Sequence, residues 1–429
     1  MRCDQSRSSD GAAAQVAELP RFPGLAPLMP LVPPAGLYVA IDARSWSLGA
    51  GTGVATYART LGDSLAHAGV PVQWLAGGSA HRAPGGPPRE GAPLRWLGAL
   101  RCGARAGSLL PHPQHGAPAT TLHDGGRLFR EAQAHFTLHR RLLRVACAEP
   151  PTVMHWTYPL PLYLEGARNV YTVHDLIPLR HPRLTGIDPH RHRRLLELIA
   201  ARADHLVTVS EHSRLEILDM LGCAKGFVTN TSQAVHAPLQ RDPALPAGLR
   251  PGGYFVCCGM PEPRKNLTRL VAAHRTAQAR RMLVVAGPLA RDIPQVESML
   301  ARSPGVVRLP HLPRAELLAL IRRARAMLFP SLAEGFGLPV AEAMALGTPV
   351  MTSSGGALRE VGGGCALHVD PCDTHAMARA IRALDSDDVL CRRLRAAGFA
   401  QVAAFSPRSY AERMVRLYAG LGGMAPAAG

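Results

Sequence analysis

The stretch from Ser331 to Thr352 constrains the fold more than any other part of the chain. It reads SLAEGFGLPVAEAMALGTPVMT, and an apolar run of strand length, Ala326 to Phe329, precedes it. Pro339 stands where a first helical residue is favoured and Gly347 where a helix is expected to end, so the pattern predicts a short helix of roughly two turns. Together these signals predict a strand, a glycine turn, a helix and a second strand, as in a parallel α/β sheet.

The glycine turn before this helix has the features of an anion-binding site. Because the first N–H groups of a helix lack intrahelical acceptors, the backbone of Phe336, Gly337 and Leu338 is predicted to offer donors to a phosphate. Glu334 precedes the turn, and Glu342 follows it in what we predict to be the first helical turn, where its carboxylate leans toward the bound group. Since a carboxylate accepts hydrogen bonds from vicinal hydroxyls, the pattern predicts a nucleotide whose phosphates meet the turn and whose ribose meets Glu342.

Chain length indicates the number of domains, and net charge indicates the class of binding partner. The chain of 429 residues is longer than a domain with one hydrophobic core usually is, which favours two domains. There are 48 Lys and Arg residues against 31 Asp and Glu, a net charge of +17. This balance favours an anionic partner, which leaves nucleic acid, an anionic membrane surface and a phosphorylated substrate open. The sequence contains no nucleic-acid motif with aromatic platforms, so no nucleic acid is expected, and a membrane leaflet or lipid phosphate is favoured.

The cysteines and apolar runs indicate the compartment. The nine cysteines are scattered and show no C-x-x-C spacing, which favours a reducing environment and argues against a disulfide framework. No apolar run approaches the ~20 residues that cross a bilayer, and prolines interrupt the N-terminal apolar stretch, so export is not expected. We therefore expect a cytoplasmic protein, with peripheral docking on the inner membrane face as an open alternative.

Irregular stretches divide the chain. We expect residues 1–35 to be a disordered extension, 36–240 to form a first domain, 241–406 a second domain, and 407–429 a last helix and tail. Residues 76–120 are rich in Gly, Pro and His, and we interpret them as an irregular insertion.

Further candidate site residues follow predicted strands in the first domain. Gly51, Thr52 and Gly53 lie in a glycine loop after the first strand. That spacing alone is a weak signal, because glycines also end strands for geometric reasons. His174 follows a strand at Val170 to Val173, and ligands of open parallel sheets bind beyond the carboxyl ends of the strands. A capping or core histidine is the alternative.

A pair of cations marks the corresponding position in the second domain. Arg264 and Lys265 lie in a loop between a strand, Tyr254 to Cys258, and a helix that begins at Leu267. Two fixed cations at such a junction are suited to neutralise a diphosphate, and solvated surface cations are the alternative. The Asp-x-Asp sequence at Asp385 to Asp387 lies between two predicted helices, so we interpret it as capping and not as a metal site.

Taken together, these motifs resemble glycosyltransferase family 4, the retaining nucleotide-sugar glycosyltransferases of the GT-B fold, over about residues 36–420. In the C-terminal half the similar segments are EPRKNL (262–267), PSLAEGFGLPVAEAMALGTPV (330–350, the E-x7-E signature) and ALREVGGGCALHVDPCD (357–373). In the N-terminal half they are GTGVATYARTL (51–61), VHDLIPLRHP (173–182) and VTVSEHSR (207–214). These N-terminal segments are similar to members that build bacterial surface polysaccharides, many of which are mannosyltransferases.

The resemblance implies a fold and an activity. The fold is two facing Rossmann-like domains with a central cleft, the acceptor mostly in the first and the donor in the second, with the last helix crossing back. The activity is retaining transfer of a hexose, mannose favoured, to a saccharide or lipid-linked saccharide hydroxyl in lipopolysaccharide or exopolysaccharide biosynthesis. GDP-mannose is the favoured donor and acts as a co-substrate. No cofactor and no metal are expected, because two cations and a helix end can neutralise the diphosphate.

The resemblance also implies roles for individual residues. Arg264 and Lys265 would hold the donor diphosphate, and Glu342 the ribose hydroxyls. Glu334 would bind the transferred sugar, and His174 would face that sugar from the other domain, which makes these two the candidate catalytic residues. The remaining positions are backbone contacts: Phe336, Gly337 and Leu338 to sugar and phosphate, and Gly51, Thr52 and Gly53 to diphosphate or acceptor.

Two other functions compete with this interpretation. A sugar-nucleotide epimerase of related fold would not need an acceptor-side basic surface, and the E-x7-E stretch argues against it. A non-catalytic nucleotide-sugar-binding protein is expected to lack at least one of the five charged or imidazole side chains of the site, and the sequence keeps them all: His174, Arg264, Lys265, Glu334 and Glu342.

Overall fold

The described part of the chain is built around two mainly parallel sheets, each with its own helices. The computed structural model describes residues 33–42, 44, 53–76, 110–112, 121–123, 128–147, 149–237, 243–289 and 294–423.

The first half contributes ten strands and five helices among the described residues. The strands are β1 (Val39–Asp42), β2 (Val72–Ala76), β3 (Leu110–His112), β4 (Thr121–His123), β5 (Leu143–Val145), β6 (Val153–Trp156), β7 (Leu162–Leu164), β8 (Arg168–Thr172), β9 (His205–Thr208) and β10 (Val228–Asn230). The helices are α1 (Gly53–His67), α2 (Leu128–His139), α3 (Ile177–Arg180), α4 (Pro189–Ala200) and α5 (Glu211–Leu221). Eight strands form one sheet in the order β10-β9-β8-β6-β1-β2-β4-β3, and β5 pairs with β7 separately.

The second half contributes six strands and eight helices among the described residues. The strands are β11 (Tyr254–Cys258), β12 (Met282–Ala286), β13 (Val306–Leu309), β14 (Ala326–Phe329), β15 (Val350–Ser353) and β16 (Leu367–Val369). The helices are α6 (Leu267–Ala277), α7 (Pro294–Arg302), α8 (Arg314–Arg322), α9 (Leu338–Ala345), α10 (Gly356–Gly362), α11 (Thr374–Ser386), α12 (Asp388–Val402) and α13 (Pro407–Leu421). The sheet order is β13-β12-β11-β14-β15-β16, with all pairs parallel.

Both sheets follow the doubly wound pattern, in which the first strand lies at the centre and the chain winds outward on each side of it. In the first sheet β1 pairs with β2 and β6, and in the second β11 pairs with β12 and β14. The central strands are buried along their whole length because helices cover both faces. The predicted fold of two Rossmann-like domains is confirmed.

The last helix, α13, returns to the first sheet. The ring of Tyr410 lies 6.3 Å from that of Tyr57 on α1, and the hydroxyl of Tyr418 lies 2.6 Å from Nδ1 of His155 on β6. These side chains are fully buried. Helix α13 is therefore fixed to the first domain by both apolar packing and a buried hydrogen bond.

Several predicted boundaries fall outside the described residues. Of the expected extension, 1–35, only 33–35 are described, and of the expected insertion, 76–120, only residues 76 and 110–112. The last three of these form β3, which pairs antiparallel with β4, so the described end of that stretch adds an edge strand. In the described part of the chain, no helix has the length and hydropathy needed to cross a bilayer.

Candidate active site

The candidate site lies at the centre of the second sheet, where the strand order reverses. The chain leaves β11 toward β12 on one side and leaves β14 toward β15 on the other, which opens a crevice beyond the carboxyl ends of β11 and β14. The loop after β11 carries Arg264 and Lys265, and the loop after β14 carries Glu334. A hydrogen bond of 2.7 Å from the N–H of Leu332 to the backbone oxygen of Arg264 joins the two loops.

Both cations bind the same carboxylate. Nη1 of Arg264 lies 2.6 Å from one oxygen of Glu334, and Nζ of Lys265 lies 2.6 Å from the other. Arg264 also binds Glu262 at 2.6 Å, and the Lys265 ammonium lies 4.5 Å from the centre of the Phe329 ring. Burial by itself would raise the pKa of Glu334, but Lys265 and Arg264 outweigh burial and hold that pKa below its usual value. The predicted diphosphate cations and the predicted sugar-binding carboxylate thus form one cluster.

The N-terminus of α9 faces the same crevice with open donors. Gly337 precedes the helix with φ of 98° and no side-chain cap, and a Cβ there would lie 2.5 Å from Cδ2 of Leu358, so the position requires glycine. The backbone N–H groups of Phe336, Gly337 and Leu338 find no acceptor within the described part of the chain. The Phe336 ring is 5 % exposed and packs edge-on against Phe405 at 5.3 Å, so only the backbone of Phe336 faces a ligand.

Glu342 differs from its predicted position. Because α9 begins at Leu338, Glu342 is the fifth helical residue and lies in the second turn, not the first. Its side chain is 3 % exposed, and one carboxylate oxygen lies 2.5 Å from Nη2 of Arg314, the first residue of α8. Burial raises the pKa of Glu342, and the charge of Arg314 partly offsets this effect. Sequence analysis missed Arg314.

The backbone of His174, in the first domain, lies against the second domain. It follows β8, and its backbone oxygen would lie 2.6 Å from a Cβ added at Gly335, the residue after Glu334. Its Nε2 lies 2.9 Å from the backbone oxygen of Thr157, and since a carbonyl only accepts, Nε2 carries the proton. The ring packs edge-on against Tyr57 at 4.8 Å. Burial lowers the pKa of His174 to about 4, so the ring is neutral near pH 7.

A second contact joins the domains beside His174. The carboxylate of Glu360 on α10 accepts hydrogen bonds from the backbone N–H groups of Glu211 at 2.8 Å and His212 at 3.2 Å. These groups open α5 in the first domain, so a carboxylate of one domain caps a helix of the other. Ser213 adds a contact of 3.4 Å to the backbone oxygen of Gly335. We call these contacts, together with the approach of Gly335 to His174, the domain seam.

Two carboxylates near this seam, one buried and one half-buried, were not singled out from the sequence. Asp42 ends β1, is 1 % exposed and accepts from the N–H of Thr157, and burial raises its pKa to about 6. Asp175 accepts from the N–H of Ile177 at 3.0 Å, and burial also raises its pKa to about 6. Asp42 is the last residue of β1 and Asp175 is the third residue after β8, so both lie at the carboxyl end of a strand, the position that singled out His174.

The other predicted positions have the following places. Gly51 and Thr52 lie outside the described residues, and Gly53 opens α1. Asp387 caps α12 by accepting from the N–H of Leu390 at 2.8 Å, and Asp385 binds Arg281 at 2.7 Å. The Asp-x-Asp sequence therefore serves helix capping and an ion pair.

Comparison with known proteins agrees with this architecture. Residues 51–229 match the family described as Glycosyltransferase Family 4, and residues 252–387 match Glycosyl transferases group 1. O-antigen chain mannosyltransferase B of Escherichia coli is 31% identical over 279 residues, 60% of this chain and 71% of that protein. The serotype-specific mannosyltransferase WbdA of Escherichia coli is 30% identical over 270 residues, which cover 58% of this chain and 33% of WbdA.

Solved structures with the same fold are more distant in sequence. The sucrose-phosphate synthase of Thermosynechococcus elongatus has a TM-score of 0.66 at 22% identity, over 90% of this chain and 99% of that one. Anabaena HepE, in complex with UDP and glucose, has a TM-score of 0.63 at 13% identity, over 90% of this chain and 100% of that one. These likenesses show the fold.

The two Rossmann-like domains have the GT-B fold, and the similar proteins are glycosyltransferases. The protein is therefore a GT-B glycosyltransferase. The chain belongs to glycosyltransferase family 4, and it is a hexosyltransferase.

Proposed function

We propose that this hexosyltransferase moves mannose from GDP-mannose to a hydroxyl of a saccharide or lipid-linked saccharide, with retention at the anomeric carbon, during synthesis of a bacterial surface polysaccharide. The relatives support the sugar and the pathway, since O-antigen chain mannosyltransferase B and O-antigen chain mannosyltransferase RfbU act in O-antigen synthesis by their names. The observation that carries the donor assignment is the cluster of Arg264, Lys265 and Glu334 at the strand-order reversal.

The cation pair and the start of α9 hold the donor diphosphate. In the free enzyme Arg264 and Lys265 are balanced by Glu334 and Glu262, so their positions are fixed before a donor arrives. A diphosphate adds charge-assisted hydrogen bonds to both cations and to the open N–H groups of residues 336–338, each worth about 1.5–3 kcal/mol. These donors also stabilise the charge that develops on the leaving phosphate.

The two glutamates and His174 hold the sugars. Glu342 accepts from the ribose hydroxyls, and Glu334 accepts from hydroxyls of the mannose. His174, neutral near pH 7, donates through Nε2 to Thr157 and keeps Nδ1 as its remaining acceptor. In the reaction the bond between the anomeric carbon and the phosphate oxygen breaks, and the acceptor oxygen bonds to that carbon on the same face. The proton of the acceptor passes to the leaving phosphate.

The first domain provides the acceptor side. By the family resemblance we assign Gly51, Thr52 and Gly53 to the acceptor or the diphosphate, and of these Gly53 opens α1. The exposed side chains of His190, Arg193 and Arg194 on α4 supply basic charge near an anionic membrane surface. The protein then acts at the cytoplasmic membrane face, where lipid-linked acceptors lie. No metal is required in this scheme, which stays a prediction.

A transfer assay tests the proposal. The enzyme is incubated with labelled GDP-mannose, UDP-glucose or UDP-N-acetylglucosamine, with and without a lipid-linked saccharide in detergent or in anionic vesicles. We expect label from GDP-mannose in the acceptor, with an α linkage by NMR. Epimerised nucleotide sugar without acceptor, or tight binding without transfer, would contradict the proposal. If the enzyme transfers mannose in detergent but does not bind anionic vesicles at low salt, membrane docking is contradicted and the transferase activity stands.

A further inference from the structure

Arg314 lies beside the donor site but belongs to neither of the loops that form it. It is the first residue of α8, and its Nη2 lies 2.5 Å from one oxygen of Glu342. The Arg314 side chain is 43% exposed while that of Glu342 is 3% exposed, so the pair joins a buried carboxylate to a guanidinium that solvent reaches. A second contact of 3.4 Å joins Arg314 to the backbone oxygen of His236, which precedes the connection between the domains.

The pair lies close to the end of β11, where the crevice begins. Burial raises the pKa of the Cys258 thiol at that end, the charge of Glu342 raises it further, and the charge of Arg314 lowers it. Both charges therefore act on the strand end from which the loop with Arg264 and Lys265 departs. The guanidinium is a third cation at this site, turned toward the carboxylate that we assign to the ribose.

The geometry makes Glu342 depend on Arg314. A buried carboxylate is unfavourable unless it is paired, and within the described part of the chain Arg314 is the side chain that pairs with Glu342. That bond uses one carboxylate oxygen and leaves the second for another donor. A guanidinium is planar and holds its partner in a defined orientation. Removal of Arg314 frees the carboxylate to rotate and leaves it without its positive partner.

We propose that Arg314 is a positioning residue of the donor site, which holds the Glu342 carboxylate in the orientation that accepts the ribose hydroxyls and so sets the preference for ribonucleotides. The inference rests on the proposed function, which assigns the ribose to Glu342. It predicts that the loss of Arg314 lowers discrimination between ribose and deoxyribose, which a general loss of stability would not change selectively.

Calorimetric titration with GDP and UDP and with their 2′-deoxy and 3′-deoxy forms tests this. We expect the wild type to bind a ribonucleotide about tenfold more tightly than a deoxy form, the effect of one hydrogen bond to a charged group. Arg314→Met should reduce this preference to near one, and Arg314→Lys should restore part of it. Arg322→Met, which removes a cation from the other end of α8, should keep the wild-type preference. If Arg314→Met does not fold, Arg314→Gln takes its place.

Glu342→Ala separates failure of the inference from failure of the proposed function. If Glu342→Ala loses the ribose preference while Arg314→Met keeps it, the role of Arg314 is overturned and the donor site stands. If Glu342→Ala keeps the preference, or if the wild type binds ribonucleotides and deoxynucleotides equally, the assignment of the ribose to Glu342 is wrong. The proposed role of Arg314 is then wrong as well. Absence of binding of both GDP and UDP overturns the proposed donor class.

Discussion

Glu334 is the residue whose carboxylate binds both cations of the site. Its two oxygens bind Arg264 and Lys265 at 2.6 Å each, so one carboxylate fixes both cations and keeps two like charges from repelling each other. A donor diphosphate meets cations that are already in position, and less ordering is needed when it binds. The same carboxylate is also an acceptor for sugar hydroxyls, which links donor binding to sugar recognition.

The sequence predicted the loop residues of the site but not their partners. Arg264, Lys265 and Glu334 lie in recognisable motifs next to strand ends, and the sheet topology brings those ends together. The pairing of Glu342 with Arg314 arises from the packing of α8 near α9, and no local pattern reports it. The remaining assignments of ligand contacts stay predictions.

A buried histidine outside the site allows a test of acid sensitivity. His205 on β9 is 5 % exposed, its Nε2 lies 2.8 Å from the hydroxyl of Thr229, and burial lowers its pKa to about 4. Because the unfolded chain binds this proton more readily, the contribution of His205 to stability is complete above about pH 6.5 and is lost as the pH falls toward 4.

His205→Gln should therefore reduce the pH dependence of stability. Between about pH 4 and pH 6.5 we expect the slope of the free energy of unfolding against pH to fall by up to about 1.4 kcal/mol per pH unit. Urea denaturation at several pH values measures this slope. His375→Gln, at an exposed histidine on α11, controls for the loss of a histidine as such. An unchanged slope in His205→Gln would contradict the lowered pKa.

At the scale of elements, the glycine turn and α9 are the best-predicted part of the molecule. The strand at Ala326–Phe329 has the predicted bounds, and α9 spans Leu338–Ala345, close to the predicted start and end. The one-residue difference at the start still moved Glu342 into the second turn. A helix boundary is therefore less certain than the existence of the helix, because propensity alone does not fix the first hydrogen bond.

Gly335→Ala tests the domain seam. A Cβ at this position would lie 2.6 Å from the backbone oxygen of His174 and 3.0 Å from Oδ2 of Asp175, so the two domains would have to separate locally. We expect kcat/KM for transfer to fall about tenfold or more, since small displacements of reacting groups are costly. The affinity for GDP should change less than transfer, because Arg264, Lys265 and the start of α9, the main diphosphate contacts that we propose, lie within the second domain.

Gly226→Ala is the matched control for this prediction. A Cβ at Gly226 would meet no atom within 4 Å, so the same substitution should leave both transfer and GDP affinity near wild type. If Gly335→Ala transfers sugar as fast as the wild type, the seam is not part of the active arrangement. If it loses GDP affinity as strongly as transfer, the effect arises in the donor turn between Glu334 and Phe336 and not at the seam.

For the whole molecule, chain length and the alternation of strands and helices predicted two α/β domains, and the family resemblance implied that they are Rossmann-like and face each other. The sequence pattern did not predict which residues make the contacts between the domains. The cap of α5 by Glu360 joins residues 149 positions apart in the chain, and the bond between His155 and Tyr418 joins residues 263 positions apart. Such contacts depend on the packed arrangement of both sheets, which periodicity does not encode. The strong basic charge likewise indicated anionic partners without distinguishing donor from membrane.

Donor binding depends on the diphosphate site formed by Arg264, Lys265 and the start of α9, and the affinity for GDP measures that site. Calorimetric titration of GDP, with UDP for comparison, is carried out on the wild type, Lys265→Met and Glu334→Gln. Arg269→Met, at an exposed cation in the first turn of α6, is the control. Thermal unfolding verifies that each variant is folded.

We predict that Lys265→Met weakens GDP binding about tenfold or more, as expected for the loss of a charge-assisted hydrogen bond. Glu334→Gln should change GDP affinity less than Lys265→Met does, because the loss of the anion that competes for both cations offsets the loss of their fixed positions. Arg269→Met should match the wild type. Unchanged GDP affinity in folded Lys265→Met would contradict the assignment of the diphosphate to this cluster.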